Sequence, residues 1–114
     1  MPSPTEAVLL RIFLGEEDRF GRGALHEAIV EQARALGVAG TTVLHSPCGF
    51  GHSGRVRSEL NIEAGAHLPI VVEIVDSEAR IEQLLPVLDG MLESGLVTLE
   101  RVRVIRFPRK TTEA

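Results

Sequence analysis

The sequence predicts an α+β domain in which one four-stranded antiparallel sheet carries two helices on one face. Three observations lead there. The hydrophobic period switches between about two and about 3.6 residues in the order strand, helix, strand, strand, helix, strand. Both stretches of helical period run out at a glycine, Gly37 and Gly95. The chain has 114 residues, 44% hydrophobic and 25% charged, the size of one domain that buries roughly two-thirds of its unfolded surface.

The elements follow in order. Residues 1–6 and 108–114 are polar, carry proline and read as flexible ends around a single domain over 7–107. Val8, Leu10, Ile12 and Leu14 alternate with Leu9, Arg11 and Phe13, a strand that stops at Gly15. A charged loop, Glu16-Glu17-Asp18-Arg19, and the flexible Gly21 and Gly23 come next. Leu25, Ile29, Ala33 and Leu36 share one helical face, with Glu27, Glu31 and Arg34 opposite and Gly37 at the C-cap. Thr41 to Ser46 is short and β-branched, a second strand. Residues 47–67 hold Pro47, Gly49, Gly51, Gly54 and Gly65 without a sustained period. That predicts a loop of about twenty residues, long for a compact domain and therefore a functional or disordered segment.

Leu68 to Val75 resumes as the third strand, with Ile70, Val72 and Ile74 on one face. Asp76 and Ser77 are both N-cap candidates for the second helix, whose stripe is Ile81, Leu84, Leu85, Leu88, Met91 and Leu92. Pro86 inside that stripe predicts a kink or a split. Arg101 to Phe107 alternates as the last strand. The order β-α-β-β-α-β is that of ferredoxin-like domains, with the first strand between the third and fourth. With Val8, Leu10 and Ile12 toward the helices, the outer face takes Leu9, Arg11, Phe13, Val71, Glu73 and Val75, and Arg103 and Ile105 from the last strand. A half-apolar face of this kind predicts packing against other copies of the chain, with Glu73 paired to Arg11 or Arg103.

Composition narrows the function. The net charge of −4 argues against a nucleic-acid partner. The longest apolar runs, Ala7 to Leu10 and Leu68 to Val72, are far too short to insert in a membrane. The N-terminus lacks the basic stretch of a signal peptide, and a lone cysteine cannot form an internal disulfide, so a cytoplasmic setting is expected. The charge is uneven: residues 100–114 hold five basic and two acidic groups, a net +3 beside −7 for the remainder. That basic end fits a phosphate ligand, an acidic partner or a charged edge that blocks aggregation.

Candidate chemistry concentrates in the long loop. Gly49, Gly51 and Gly54 satisfy G-x-G-x-x-G, but a dinucleotide fingerprint needs a helix directly after the glycines, and Arg55-Val56-Arg57-Ser58 leads to little of one. Exposed backbone N–H groups at Gly49, Phe50 and Gly51, with Arg55 and Arg57, suit a small anion instead. His45, Cys48 and His52 form H-x2-C-x3-H, an alternative metal set for zinc or copper that matches no structural zinc motif. Cys48 beside two histidines is a third candidate, a nucleophile, although no acid is placed to orient either imidazole.

Several segments resemble one family in the right order. They are Ile12-Phe13-Leu14-Gly15-Glu16, Ala24-Leu25-His26-Glu27, Ala39-Gly40-Thr41-Thr42-Val43, Gly49-Phe50-Gly51, Leu68-Pro69-Ile70-Val71-Val72-Glu73-Ile74-Val75-Asp76, Leu85-Pro86-Val87-Leu88-Asp89 and Gly95-Leu96-Val97-Thr98-Leu99. Over about residues 7–106 the chain resembles the PII-like proteins catalogued as domain of unknown function 190. The resemblance implies a ferredoxin-like fold, a homotrimer and a non-catalytic regulatory role. In PII proteins the loop matching 47–67 contacts partners and nucleotides bind in clefts between subunits. It further implies a membrane-transport protein as partner. The chain departs from PII proteins in having no tyrosine and no Gly- and Lys-rich turn at Leu92-Glu93-Ser94-Gly95-Leu96. The expectation is therefore a trimeric regulator sensing a nucleotide or another small anion, its clefts lined by Gly49, Phe50, Gly51, Arg55 and Arg57, with Arg101, Arg103 and Arg106 adding charge.

Overall fold

Alternating apolar and polar positions carry the first strand, β1 (Thr5–Gly15), across the whole sheet. A computed structural model of the protein describes residues 1–46, 48–49, 57–58 and 68–110. Strand β1 begins at Thr5, inside the segment read as a flexible end, because Thr5 and Glu6 pair with Val104 and Arg103. A two-residue ladder, β2 (Arg19–Phe20) with β3 (Gly23–Ala24), occupies the stretch expected to be a loop.

Helix α1 (Leu25–Leu36) buries Leu25, Ile29 and Ala33. It ends at Gly37, whose φ of 79° is left-handed and whose N–H returns to the Arg34 carbonyl at 3.0 Å. Strand β4 (Gly40–His45) follows, then the short strands β5 (Cys48–Gly49) and β6 (Arg57–Ser58), which pair with each other. Strand β7 (Pro69–Asp76) leads into helix α2 (Glu78–Met91). Of the two cap candidates it is Ser77 whose hydroxyl accepts from the Arg80 N–H at 3.2 Å, while Asp76 closes the strand. Pro86 does not split α2, which stays one helix. The proline lacks the N–H that would reach the Glu82 carbonyl, and both residues are exposed, so water can take that bond.

The last strand, β8 (Leu96–Val104), starts five residues before the expected Arg101 and stops before Ile105. The sheet order is β4-β7-β1-β8, antiparallel at every pairing, with β1 between the third and fourth main strands as expected. One core lies between this sheet and the two helices. Leu10, Ile12, Ile29, Ile70, Val72, Ile74, Ile81 and Leu84 fill it, all essentially free of solvent contact. This is the ferredoxin-like α+β architecture.

The register corrects one expectation about the outer face. On β8 the partners of Leu9 and Arg11 are Glu100 and Thr98, so the outward residues are Leu96, Thr98, Glu100, Val102 and Val104. Arg103 stands opposite Glu6 and faces the helix side, and Ile105 lies beyond the strand. A shift of one residue in parity exchanges the two faces of a strand. Glu73 accordingly pairs with Arg11, at 2.8 Å, and not with Arg103.

Candidate functional site

Three rows of side chains cross the outer face of the sheet. Leu44, Val71, Phe13 and Leu96 form an apolar row spanning all four strands. Thr42, Glu73, Arg11 and Thr98 form the next, and Gly40, Val75, Leu9 and Glu100 the third. Phe13, Leu44 and Leu96 remain 38%, 46% and 60% exposed on the single chain. Arg11 joins the polar positions, bonding Glu73 at 2.8 Å and Glu100 at 3.2 Å. The Glu73 hydrogen bond, aided by Glu100 and opposed by partial desolvation, holds the guanidinium pKa above its ordinary value.

The base of the 47–67 segment is tied down at one end of the sheet. Ser46 N–H donates to the Pro69 carbonyl at 3.0 Å and Glu16 N–H to the Leu68 carbonyl at 3.0 Å. The Leu68 N–H returns to the Glu16 carboxylate at 3.1 Å. Asp18 accepts from the Gly15 N–H at 2.9 Å. The charged turn after β1 thus anchors the loop base, a role its sequence signalled only as a polar turn. Within the segment, Gly49 is the register partner of Arg57 and Cys48 of Ser58. Two of the expected anion-binding residues, Gly49 and Arg57, therefore sit on adjacent backbone. Phe50, Gly51, His52 and Arg55 lie outside the described residues.

His45 ends β4 at this same base, opposite Ile70. Its ring meets that of His26 from the first turn of α1, edge to face, with centroids 6.0 Å apart. His26 was not among the expected site residues. Its signal was only its place in the first turn of a helix that must fold back over the strand it precedes. Among the described residues no group of three or more His, Cys, Asp or Glu side chains could hold a metal ion.

The arginine-rich end lies elsewhere on the chain. Arg101 is in register with Val8, and Val8 with Asp76, whereas His45 is in register with Ile70 and Ile70 with Leu14. Six residues of β1 separate the two rows, about 20 Å along the strand. Arg101 lies 3.4 Å from Glu78 and Arg106 3.9 Å from Asp76, and Arg103 stands beside Glu6 in the ladder. Asp76, only 8% exposed, also accepts from the N–H groups of Ala39 at 2.8 Å and Ser77 at 2.6 Å. Burial pushes its pKa up, but the Ser77 and Ala39 N–H groups, then Arg106 and Arg80, outweigh that and hold the carboxyl below its usual range. The loop base and Arg101 therefore lie at opposite ends of the sheet.

The family model DUF190, described as an uncharacterized ACR, matches residues 7–104. The chain belongs to the DUF190 family. A UPF0166 protein of Aquifex aeolicus (strain VF5) is 36% identical over 97 residues, covering 85% of this chain and 91% of that protein. A UPF0166 protein of Methanocaldococcus jannaschii is 28% identical over 102 residues, covering 89% and 94%. Among solved structures, this DUF190 chain is similar to CPII, a nitrogen regulatory PII-like protein from Thiomonas intermedia K12 bound to ADP, AMP and bicarbonate. The TM-score is 0.65 at 19% identity, with 93% of this chain and 94% of that chain covered. The GlnK–ATP complex of B. subtilis matches with a TM-score of 0.54 at 16% identity, covering 85% and 82%. The DUF190 fold is thus PII-like. No helix among the described residues is long and apolar enough to cross a membrane.

Proposed function

We propose that the protein is a non-catalytic, PII-like regulator that assembles as a homotrimer and binds a nucleotide or another small anion between its subunits. The observation that carries this reading is the chain-wide likeness to CPII, a protein solved with ADP, AMP and bicarbonate. Two features of this chain support it. The outer face sets an uninterrupted apolar row beside the Arg11–Glu73–Glu100 cluster, the arrangement of an interface with an apolar core and charges that fix register. The loop base and Arg101 lie at opposite ends of the sheet, and association of copies would bring the loop of one to the arginines of another. Gly49, Phe50, Gly51, Arg55 and Arg57 would then face Arg101, Arg103 and Arg106 across a cleft. Backbone N–H groups and guanidinium forks together suit phosphate or bicarbonate oxygens. The loop's order would change on binding, and the outer partner reading that state would be a membrane-transport protein.

Thermal unfolding with ADP, AMP, ATP or bicarbonate tests this. Saturating ligand is expected to raise Tm by several degrees, since binding to the folded state alone adds about 2.7 kcal/mol at a hundredfold excess over Kd. Arg55→Ala/Arg57→Ala and Arg101→Ala/Arg103→Ala should each remove the shift. A shift that persists in both double variants contradicts the composite cleft. No shift with any of these ligands contradicts the nucleotide and anion reading and leaves protein binding through the loop as the regulator's mode.

A further inference from the structure

The contact between His26 and His45 is absorbed neither by the oligomer interface nor by the anion cleft. We propose that these two imidazoles form a binding site for a divalent transition-metal ion that clamps the first turn of α1 to the end of β4. The fold makes the pairing. Helix α1 exits through Gly37 toward Gly40, so it runs back over β4 and its first turn lands above the strand's last residue. His45 has the register parity that faces the helices, opposite the buried Ile70.

Two observations point to a ligand there. The ring centroids are 6.0 Å apart. With metal–nitrogen bonds of about 2.0–2.1 Å and a ring radius of ~1.1 Å, two imidazoles on one ion reach a centroid separation of at most about 6.4 Å. The observed spacing falls inside that limit, so the distance between the rings is compatible with one shared ion. Second, His26 Nδ1 is buried and has no hydrogen-bond partner. A buried ring nitrogen left unpaired costs free energy and calls for an occupant. Neutral imidazole is the side chain best matched to zinc, copper and nickel, and water can fill the remaining positions of a two-histidine site. The site does not depend on the anion cleft. Its position gives it a consequence, because His45 adjoins Ser46, whose N–H bond to Pro69 closes the loop base. An ion bridging His26 and His45 would stiffen the frame from which the 47–67 segment departs.

The test is zinc titration of the full chain by calorimetry, together with imidazole nitrogen–proton correlation spectra. The proposal expects one zinc per chain and concerted shifts of the His26 and His45 ring resonances. His26→Gln and His45→Gln should each weaken binding at least tenfold. His26 decides between sites, because the alternative set of His45, Cys48 and His52 does not contain it. Uptake that survives His26→Gln but is lost in Cys48→Ser or His52→Gln overturns the proposal, as does the absence of stoichiometric uptake. If either glutamine variant fails to fold, the ring resonances of the unaltered protein still decide: unmoved His26 signals at saturating zinc overturn it.

Discussion

At the scale of single residues, the junction around Asp76 does most to fix how the second half of the chain meets the first. Its carboxylate ties the end of β7 to the backbone of Ala39, before β4, and to Ser77 at the head of α2. Arg80 reaches back from α2 to the Leu36 carbonyl at the end of α1, so the two helix–strand connections are laced together. Asp76→Asn keeps one acceptor but loses charge, and should cost about 1–2 kcal/mol at pH 7 by urea unfolding. The pH dependence has a defined sign. Because the folded carboxyl titrates below its unfolded value of 3.8, its contribution is complete above that value and is lost as pH falls through the folded pKa. The gap between native protein and Asp76→Asn should therefore close on acidification below about pH 4, and a gap that widens would contradict the assignment. The sequence offered Asp76 and Ser77 equally as caps. What it did not carry was the Ala39 contact, which spans 37 residues and depends on the sheet being formed.

At the scale of elements, legibility followed burial. Helix α1, its stripe and its Gly37 terminus were readable because one face meets a core and the other meets water. The alternation of β1 and β7 was readable for the same reason. Strand β8 was harder. It is an edge strand whose helix-side residue Leu99 is still 54% exposed, so its pattern of Arg101, Val102, Arg103 and Val104 reports solvent on the helix side rather than a core. Reading those valines as inward-facing reversed the two faces. The ladder of β5 and β6 has only two residues a side among glycines, too short for any period to announce it. The packing asymmetry gives a prediction. Leu84 is fully buried where α2 meets the sheet, so Leu84→Ala should cost about 3 kcal/mol of stability. Phe13→Ala, on the outer face, should cost much less within one chain while weakening association between chains. Equal losses of fold stability in the two variants would contradict this division of roles.

At the scale of the whole molecule, the division between faces is what turns a small domain into a candidate regulator. The helix-covered face fills one core, and the other still presents Leu9, Phe13, Leu44, Val71, Val75 and Leu96 around paired charges. Few monomeric proteins leave so continuous an apolar row in water. The loop base and Arg101 stand about 20 Å apart along β1, so the proposed cleft is one formed between copies. Phe13→Asp, placing a charge in the middle of the apolar row, should yield folded monomer by circular dichroism and gel filtration, with nucleotide and anion binding lost alongside assembly. Sedimentation equilibrium of the unaltered protein at micromolar concentration is the direct test of assembly. A homotrimer gives a single species of about 37 kDa, three times the 12.4 kDa chain; a species at the mass of one chain across that range would rule the homotrimer out.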